Sequence, residues 1–378
     1  MKNYVNYLRR IKLEYKQCKR CVMDTTAQDI IFDEDGNCNY CNDFIEKLKK
    51  PTFKIDLSLE NLVSQIKKDG KNKQYDCIVG VSGGVDSSYT LVKVKELGLR
   101  PLAVHMDNGW NSELATNNIH NLIDKLGVDL YTHVIDWSEY KGLMQAFFDA
   151  DVIDIELLYD NAMLSVNYKM ASKYGIKYIL SGSNTSTEGM YIPRNWNWFK
   201  KDKHNIKKIA STKNIKLKTF PSFGTLDFVY QEFVKKTKWI PFLDYLPYYD
   251  KNETLELLER EFLYKPYPYK HYESVFTRFY QGYLLPNKFN VDKRKVHFST
   301  LIISNQMSRD EAVKQLNEIP YLSEQELNND IEYFLKKMKW SQKDLDDYLG
   351  RSEKSHLIYG SEKWLWDFLK KIHNNIKK

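Results

Sequence analysis

Two sets of residues have types and spacings that could do chemistry. The first is Gly80-Val81-Ser82-Gly83-Gly84-Val85-Asp86-Ser87-Ser88, which follows a short apolar run. Glycines let a backbone come close to an oxyanion. Serine hydroxyls and the amide N–H groups at a helix start can cradle phosphate oxygens. The loop has no GK[ST] lysine and no G-x-G-x-x-G spacing, so it is neither a Walker A loop nor a dinucleotide fingerprint. The competing reading is an ordinary glycine turn with its helix capped by Asp86 or Ser87. The second set is Cys18, Cys21, Cys38 and Cys41, two C-x2-C pairs separated by sixteen residues. Each tight turn aims two thiolates at one ion, and two turns complete a tetrahedral Zn2+ site. Four thiolates leave no open position for water, so the expected role is structural. An iron–sulfur cluster or redox pairs fit the same spacing. Phe32 to Asn37 suits a hairpin turn delivering the second pair, and Cys77, in an apolar run, reads as a buried hydrophobe.

The elements that must position these groups alternate in type. Strands are expected over 77–81, 101–105, 130–135, 178–181 and 239–243. Helices are expected over 59–66, 87–97, 115–126 and 156–174, with Gly70, Gly98, Gly127 and Gly175 as stops. This alternation implies an α/β fold with a Rossmann-like parallel sheet, which binds ligands at the carboxyl ends of its strands. Near Tyr264 the character changes to an aromatic, basic stretch with two prolines. Beyond it only helical patterns follow, as over 309–316, 328–338 and 361–372. The expected division is a zinc-binding segment (1–50), a loop-bearing α/β domain (51–262) and a mostly helical substrate-binding domain (263–378).

Composition adds limits. The chain has 378 residues, 42% hydrophobic and 28% charged, which excludes wholesale disorder and suits two or three domains. No run approaches the roughly 18 apolar residues of a membrane span, and no cleavable leader is legible, so the expectation is a cytoplasmic protein without membrane insertion. The net charge of +7 is a weak bias that fits anionic small molecules as well as nucleic acid.

The sequence SGGVDSS (82–88) resembles the pyrophosphate loop of the ATP-pyrophosphatase superfamily, which includes GMP, asparagine and NAD synthetases and several tRNA-modifying enzymes. Those enzymes split ATP between its α- and β-phosphates, making an adenylate that a nitrogen or sulfur nucleophile displaces. The resemblance implies that Ser82, Gly83, Gly84, Ser87 and Ser88 hold pyrophosphate, and that Asp86 orients the loop or helps bind Mg2+. It also implies that His105, Met106, Gly182, Ser183, Asn184 and Glu188 close the ATP site. Read singly, His105 is a packed histidine, Met106 is core and Glu188 is solvated.

The whole chain resembles the N-acetyl sugar amidotransferases of bacterial surface-glycan synthesis. The resemblance rests on CKRCVMDTTAQDIIFDEDGNCNYC (18–41), VGVSGGVDSS (79–88), LSGSNTSTEG (180–189), YKHYESVFTRFYQGYLLPNKFNVDKRKVHFSTLI (269–302) and MSRDEA (307–312). It implies conversion of an acetamido group on a nucleotide-linked N-acetyl sugar to an acetamidino group through an O-adenylyl imidate attacked by ammonia. Lys270, His271, Arg278, Lys288, Lys293 and Arg294 become candidates for the sugar nucleotide, with His271 or Glu273 as proton acceptor. On charge alone the same residues read as a solvated basic face. With four cysteines assigned to metal and Cys77 in a strand, no cysteine is left for glutamine hydrolysis. The family implies a separate, histidine-biosynthesis-like glutaminase and a cyclase-like partner supplying ammonia. Two rivals remain: a tRNA-modifying ATP-pyrophosphatase of thiolase or lysidine synthetase type, and a nucleotide-binding scaffold subunit without activity. The shortage of cysteines and of a dense basic, aromatic RNA surface weighs against the first. The intact loop weighs against the second.

Overall fold

The computed structural model describes residues 15–49, 58–268 and 272–376. The chain divides into two units, one of residues 54–184, 198–289 and 320–378, the other of residues 1–53, 185–197 and 290–319.

The larger unit holds the sheet. Its five strands are β1 (Cys77–Gly80), β2 (Pro101–Asp107), β3 (Asp129–Val134), β4 (Tyr178–Ser181) and β5 (Lys238–Pro241). All neighbouring strands pair in parallel, in the order β3-β2-β1-β4-β5. Ile78 in the central strand lies opposite Leu102 on one side and Ile179 on the other. Cys77, Ile78 and Val79 are buried, as an apolar run covered on both faces must be. The chain leaves β1 toward β2 and later returns to β1's other side as β4. The crevice beyond the carboxyl ends of β1 and β4 is therefore the topological switch point, where such sheets bind ligands.

Helix α1 (Leu59–Gly70) precedes β1, and α2 (Val85–Glu96), α3 (Glu113–Leu126), α4 (Trp137–Asp149) and α5 (Leu157–Tyr174) lie between β1 and β4. Leu62, Val63 and Ile66 are buried on α1, as their spacing requires. The α/β class expected from the sequence is the one found, with a mostly helical C-terminal region. Three details differ. First, α2 starts at Val85, two residues earlier than expected, which places Asp86 and Ser87 inside its first turn. Second, β5 stops at Pro241, because Phe242–Tyr245 coils into a 3-10 turn that buries Phe242 and Leu243. Third, α4 was absent from the pattern reading, although Asp136 caps it and Tyr140, Leu143, Met144, Phe147 and Phe148 form its buried face.

That buried face organises an aromatic core. Phe148 packs against Trp340 (ring centroids 4.9 Å) and Tyr348 (5.1 Å). Fully buried Trp110, just beyond β2, packs against Phe276 (5.3 Å) and Phe334 (6.2 Å). The helices around Phe276, Phe334 and Tyr348 thus share a core with the sheet's own connections.

In the smaller unit, the four cysteines are framed by short bridges, Gln17 with Asp24 and Phe32 with Cys38. The expected turn is present: Gly36 N donates to Asp33 O (3.0 Å) and Asp33 N to Asn37 O (2.9 Å). Segment 290–319 packs on this knuckle. Ser299 Oγ accepts from Val22 N (3.2 Å), and Arg309 donates to the carbonyls of Cys18 (3.1 Å) and Cys21 (3.2 Å).

Trp110→Ala removes the ring that joins these aromatic contacts. It should destabilise the protein by about 3–5 kcal/mol, read as a lowered urea midpoint; a loss below about 1 kcal/mol would remove Trp110 from this role.

Candidate active site and metal centre

The glycine loop sits at the switch point because it follows the central strand. Gly84 is the N-cap of α2, and no side chain caps the helix. This overturns the reading of a turn capped by Asp86 or Ser87. Ser87 Oγ instead donates to Gly84 O (3.1 Å), lies 3.2 Å from Ser82 Oγ and accepts from Ser82 N (3.3 Å). Gly84 N donates to Ser82 Oγ (3.3 Å), and the N–H groups of the first turn have no acceptor within their own helix, which is what lets a helix start bind an anion. Gly83 has φ +86°, and a Cβ there would lie 2.8 Å from Ala115 O, so the backbone needs glycine. Ser88 is buried, and its hydroxyl has no hydrogen-bond partner among the described residues. An orphaned donor beside an uncapped helix start is the arrangement a phosphate group would complete.

Other segments build the walls. Tyr264 and Tyr267 both donate to Gly83 O, at 2.9 and 3.0 Å. Burial drives both phenols well above their ordinary range, so they remain donors. The Tyr249 hydroxyl donates to the Asp86 carboxylate. Sequence reasoning missed these three tyrosines. Tyr264 and Tyr267 lie in the aromatic, proline-broken stretch that reads from sequence as a domain border. Glu273 is brought to the loop by a short antiparallel bridge: Ser112 N donates to Glu273 O (2.9 Å) and Val275 N to Trp110 O (2.9 Å). Its Oε1 would lie 3.8 Å from a Cβ at Gly84. Asp86 and Glu273 are thus carboxylates placed beside the loop.

From β4, Gly182 approaches so closely that a Cβ would lie 2.7 Å from Asp86 C and Ser87 N. Ser183 is exposed and bonds Ser181 Oγ (2.7 Å), while Asn184 is buried, with its Nδ2 3.4 Å from Gly182 O. His105 is buried and has both ring nitrogens engaged, Nδ1 with Val81 O (2.8 Å) and Nε2 with Asn111 Nδ2 (2.9 Å). Burial lowers its pKa, so the neutral ring donates to Val81 and accepts from Asn111. It steadies the residue that opens the loop. Met106 is buried in β2. Glu188 is exposed and belongs to the smaller unit.

The basic candidates have a different placement from the one expected. Lys270 and His271 lie outside the described residues. Arg278 forms a bidentate pair with Asp330 (2.5 and 2.6 Å) and stacks over Tyr272. Lys288 has no exposed side-chain surface and donates to Asp151 and to the carbonyls of Tyr348 and Arg351. Arg294 pairs with Asp292 and closes a helix end through the carbonyls of Gln315 and Glu318 (both 2.8 Å). Lys293 is buried. The charges of Arg278, Lys288 and Arg294 are committed to internal partners rather than offered to an anionic sugar nucleotide.

The four cysteines converge. All four sulfurs lie within 4.8 Å of one another and all four residues are buried. Cys18 and Cys41 sulfurs are 3.8 Å apart, Cys21 and Cys38 sulfurs 3.6 Å. Sulfurs on a tetrahedron around zinc would be about 3.8 Å apart. Backbone N–H groups of Cys21, Cys38 and Cys41 point at cluster sulfurs at 3.2–3.4 Å, which favours thiolate. Hydrogen bonding among the sulfurs lowers the Cys18 and Cys41 thiols and raises those of Cys21 and Cys38. The cluster is compatible with zinc. Cys77 is the opposite case: burial pushes its thiol well up, which makes it inert.

Residues 273–373 match the family model described as LPS biosynthesis protein WbpG-like, C-terminal domain, roughly a quarter of the chain. No curated protein matches the sequence. Among solved structures, the chain is similar to NMN synthetase from Francisella tularensis, with 14% identity over 57% of this chain and 100% of that one, TM-score 0.28. It is similar to NH3-dependent NAD synthetase from Campylobacter jejuni, with 16% identity over 54% and 92%, TM-score 0.27. A third is a predicted subunit of tRNA methyltransferase from Methanocaldococcus jannaschii, with 17% identity over 49% and 75%, TM-score 0.28. Similarity at this level says nothing of what the chain binds or makes.

Two measurements check the sites. Purified protein should carry one metal per chain by elemental analysis, and Cys38→Ser should lose it; metal retained in full would remove Cys38 from the ligand set. Gly182→Ala should displace the start of α2 and weaken nucleotide binding about tenfold or more, measured by calorimetry with ATP.

Proposed function

We propose that this chain is an ATP-dependent amidotransferase of surface-glycan biosynthesis, acting on a nucleotide-linked N-acetyl sugar. The observation that supports it most directly is the uncapped start of α2 at the switch point, with an orphaned Ser88 hydroxyl inside and Asp86 and Glu273 beside it. The pyrophosphate-loop sequence SGGVDSS and the LPS-biosynthesis match of residues 273–373 favour this reading over other phosphate sites.

On this reading the loop amides, Ser82, Ser87 and Ser88 hold the β- and γ-phosphates. Asp86 is a suitable ligand for Mg2+, which would neutralise phosphate charge. The amide oxygen of the acetamido group attacks the α-phosphorus, the bond to the β-phosphate oxygen breaks, and pyrophosphate leaves. Ammonia then adds to the imidate carbon, its excess protons pass to a base, and AMP departs with the former amide oxygen. The product is an acetamidino group. Of the two candidate proton acceptors, Glu273 lies among the described residues, with Oε1 3.8 Å from where a Cβ at Gly84 would be. The chain's own residues would act mainly by positioning and charge stabilisation.

Ammonia would come from a separate glutaminase and its partner subunit. None of the five cysteines is suited to hydrolyse glutamine, since four converge on one another and Cys77 is buried with a raised pKa.

Incubated with ATP, Mg2+, a nucleotide-linked N-acetyl sugar and an ammonium salt, the protein should release AMP and yield a sugar with NH in place of one oxygen. Mass spectrometry detects the exchange. Glutamine should not replace ammonium, and Asp86→Ala should reduce AMP release by about two orders of magnitude or more. AMP release that depends on tRNA and ignores the sugar would sink the proposal.

A further inference from the structure

Far along the chain from the loop, two helical segments in the larger unit run side by side. One is Thr225–Val229, continued by a π-helical turn at Tyr230–Val234; the other is Lys363–Ile376. Phe228 packs on Trp366 (5.2 Å) and Phe233 on His373 (5.7 Å), so the two segments point the same way. Leu365, Trp366 and Leu369 form the half-buried inner face of the second helix. Its outer face is also apolar: Trp364, Phe368 and Ile372, four residues apart, are 70%, 55% and 41% exposed. The first segment repeats the arrangement with Leu226, Tyr230, Phe233 and Val234, all exposed. Leu226 and Trp364 both line a cleft of about 460 Å³ at one end, together with Lys203, His204, Asp227 and Glu362. Two adjacent helices thus present a shared apolar surface to solvent, where one such stripe already needs an explanation.

The rim of this surface says what covers it. Residues 200–240, which include the first segment, contain eleven lysines and three acidic residues; of these lysines Lys200, Lys203 and Lys213 pair with carboxylates. Lys201 lies over the Phe228 and Trp366 rings (4.5 and 4.4 Å), Lys235 over Tyr230 (5.7 Å), and Lys370 and Lys371 are exposed on the second helix. A second copy of this chain would bring the same lysines against one another, which disfavours self-association through this face. Apolar side chains rich in Trp, Tyr and Phe, bordered by lysine, match a boundary that is negative outside and apolar within. No helix among the described residues is long and apolar enough to cross a membrane.

We propose that this two-helix surface seats the protein on an anionic lipid bilayer, with Trp364, Phe368 and Leu226 entering the headgroup boundary and the surrounding lysines meeting lipid phosphates. The seat is peripheral and reversible, and it is independent of the reaction proposed above.

The test uses the full chain and sedimentation with vesicles of phosphatidylcholine alone or mixed with phosphatidylglycerol. Wild type should pellet with the phosphatidylglycerol vesicles and be released by added salt. Binding should fall about tenfold or more in the double variant Trp364→Ser, Phe368→Ser and in Lys370→Glu, Lys371→Glu. Unfolding midpoints close to wild type would show that both variants are folded. Failure of wild type to pellet overturns the proposal, as does equal pelleting with phosphatidylcholine alone. Binding unchanged in both variants overturns it too, as does a concentration-dependent dimer that the Trp364→Ser, Phe368→Ser variant abolishes without any vesicle binding.

Discussion

A helix cannot satisfy its own first N–H groups, and the N-cap of α2 is a glycine with no side chain to do so. That unmet polarity is the constraint around which the larger unit is arranged. The parallel sheet places it at the end of the central strand, where the chain reverses its order across the sheet. Gly83 and Gly182 admit the close backbone approaches on either side, while His105 steadies Val81 just upstream. Helices remote in sequence contribute through the aromatic core under Trp110, which fixes the bridge that carries Glu273. The polarity of one helix start is thus positioned by packing that extends to Tyr348 and beyond.

What was legible from the sequence was local. The cysteine knuckle and its turn, the glycine loop and the alternation of strand with helix each involve residues a few positions apart, and each stands where expected. Arg278, Lys288 and Arg294 differ from the expectation for the opposite reason. The partners of Arg278, Lys288 and Arg294 are Asp330, Asp151 and the carbonyl groups of Gln315 and Glu318, and sequence proximity announces none of the long-range ones. A lysine or arginine facing its own protein has the same letter as one facing a ligand. Helix α4 is a different kind of miss. Asp136 and the apolar spacing from Tyr140 to Phe148 are present in the sequence, but Gly142 interrupts the pattern, and burial of that face stabilises the helix. The net charge is also local: residues 200–240 carry a surplus of eight positive charges and residues 270–295 a surplus of four.

The smaller unit illustrates how a segment without much apolar area is held. Its knuckle gathers four sulfurs, and chain from 185–197 and 290–319 closes around it: Trp196 donates to Thr26 O (3.2 Å) and Lys295 pairs with Asp24. Arg309, from the MSRDEA stretch, ties the two cysteine turns through their carbonyls. Stretches that carry the family resemblance here are therefore structural staples, so sequence likeness in them reports the scaffold as much as the reaction. The WbpG-like match, spanning residues 273–373, draws on both units.

The two phenols on Gly83 O have a consequence for the loop itself. Glycine pairs are prone to peptide rotation, and a half-turn of the Gly83–Gly84 plane would put a carbonyl oxygen at the loop where Gly84 N now donates to Ser82 Oγ (3.3 Å). Tyr264 and Tyr267 grip that oxygen together. Rotation would forfeit two hydrogen bonds, roughly 2 kcal/mol, enough to keep the inverted form to a few per cent. The loop retains the steric openness of glycine but is denied its freedom to reverse polarity, so the site is electrically preset before any nucleotide arrives.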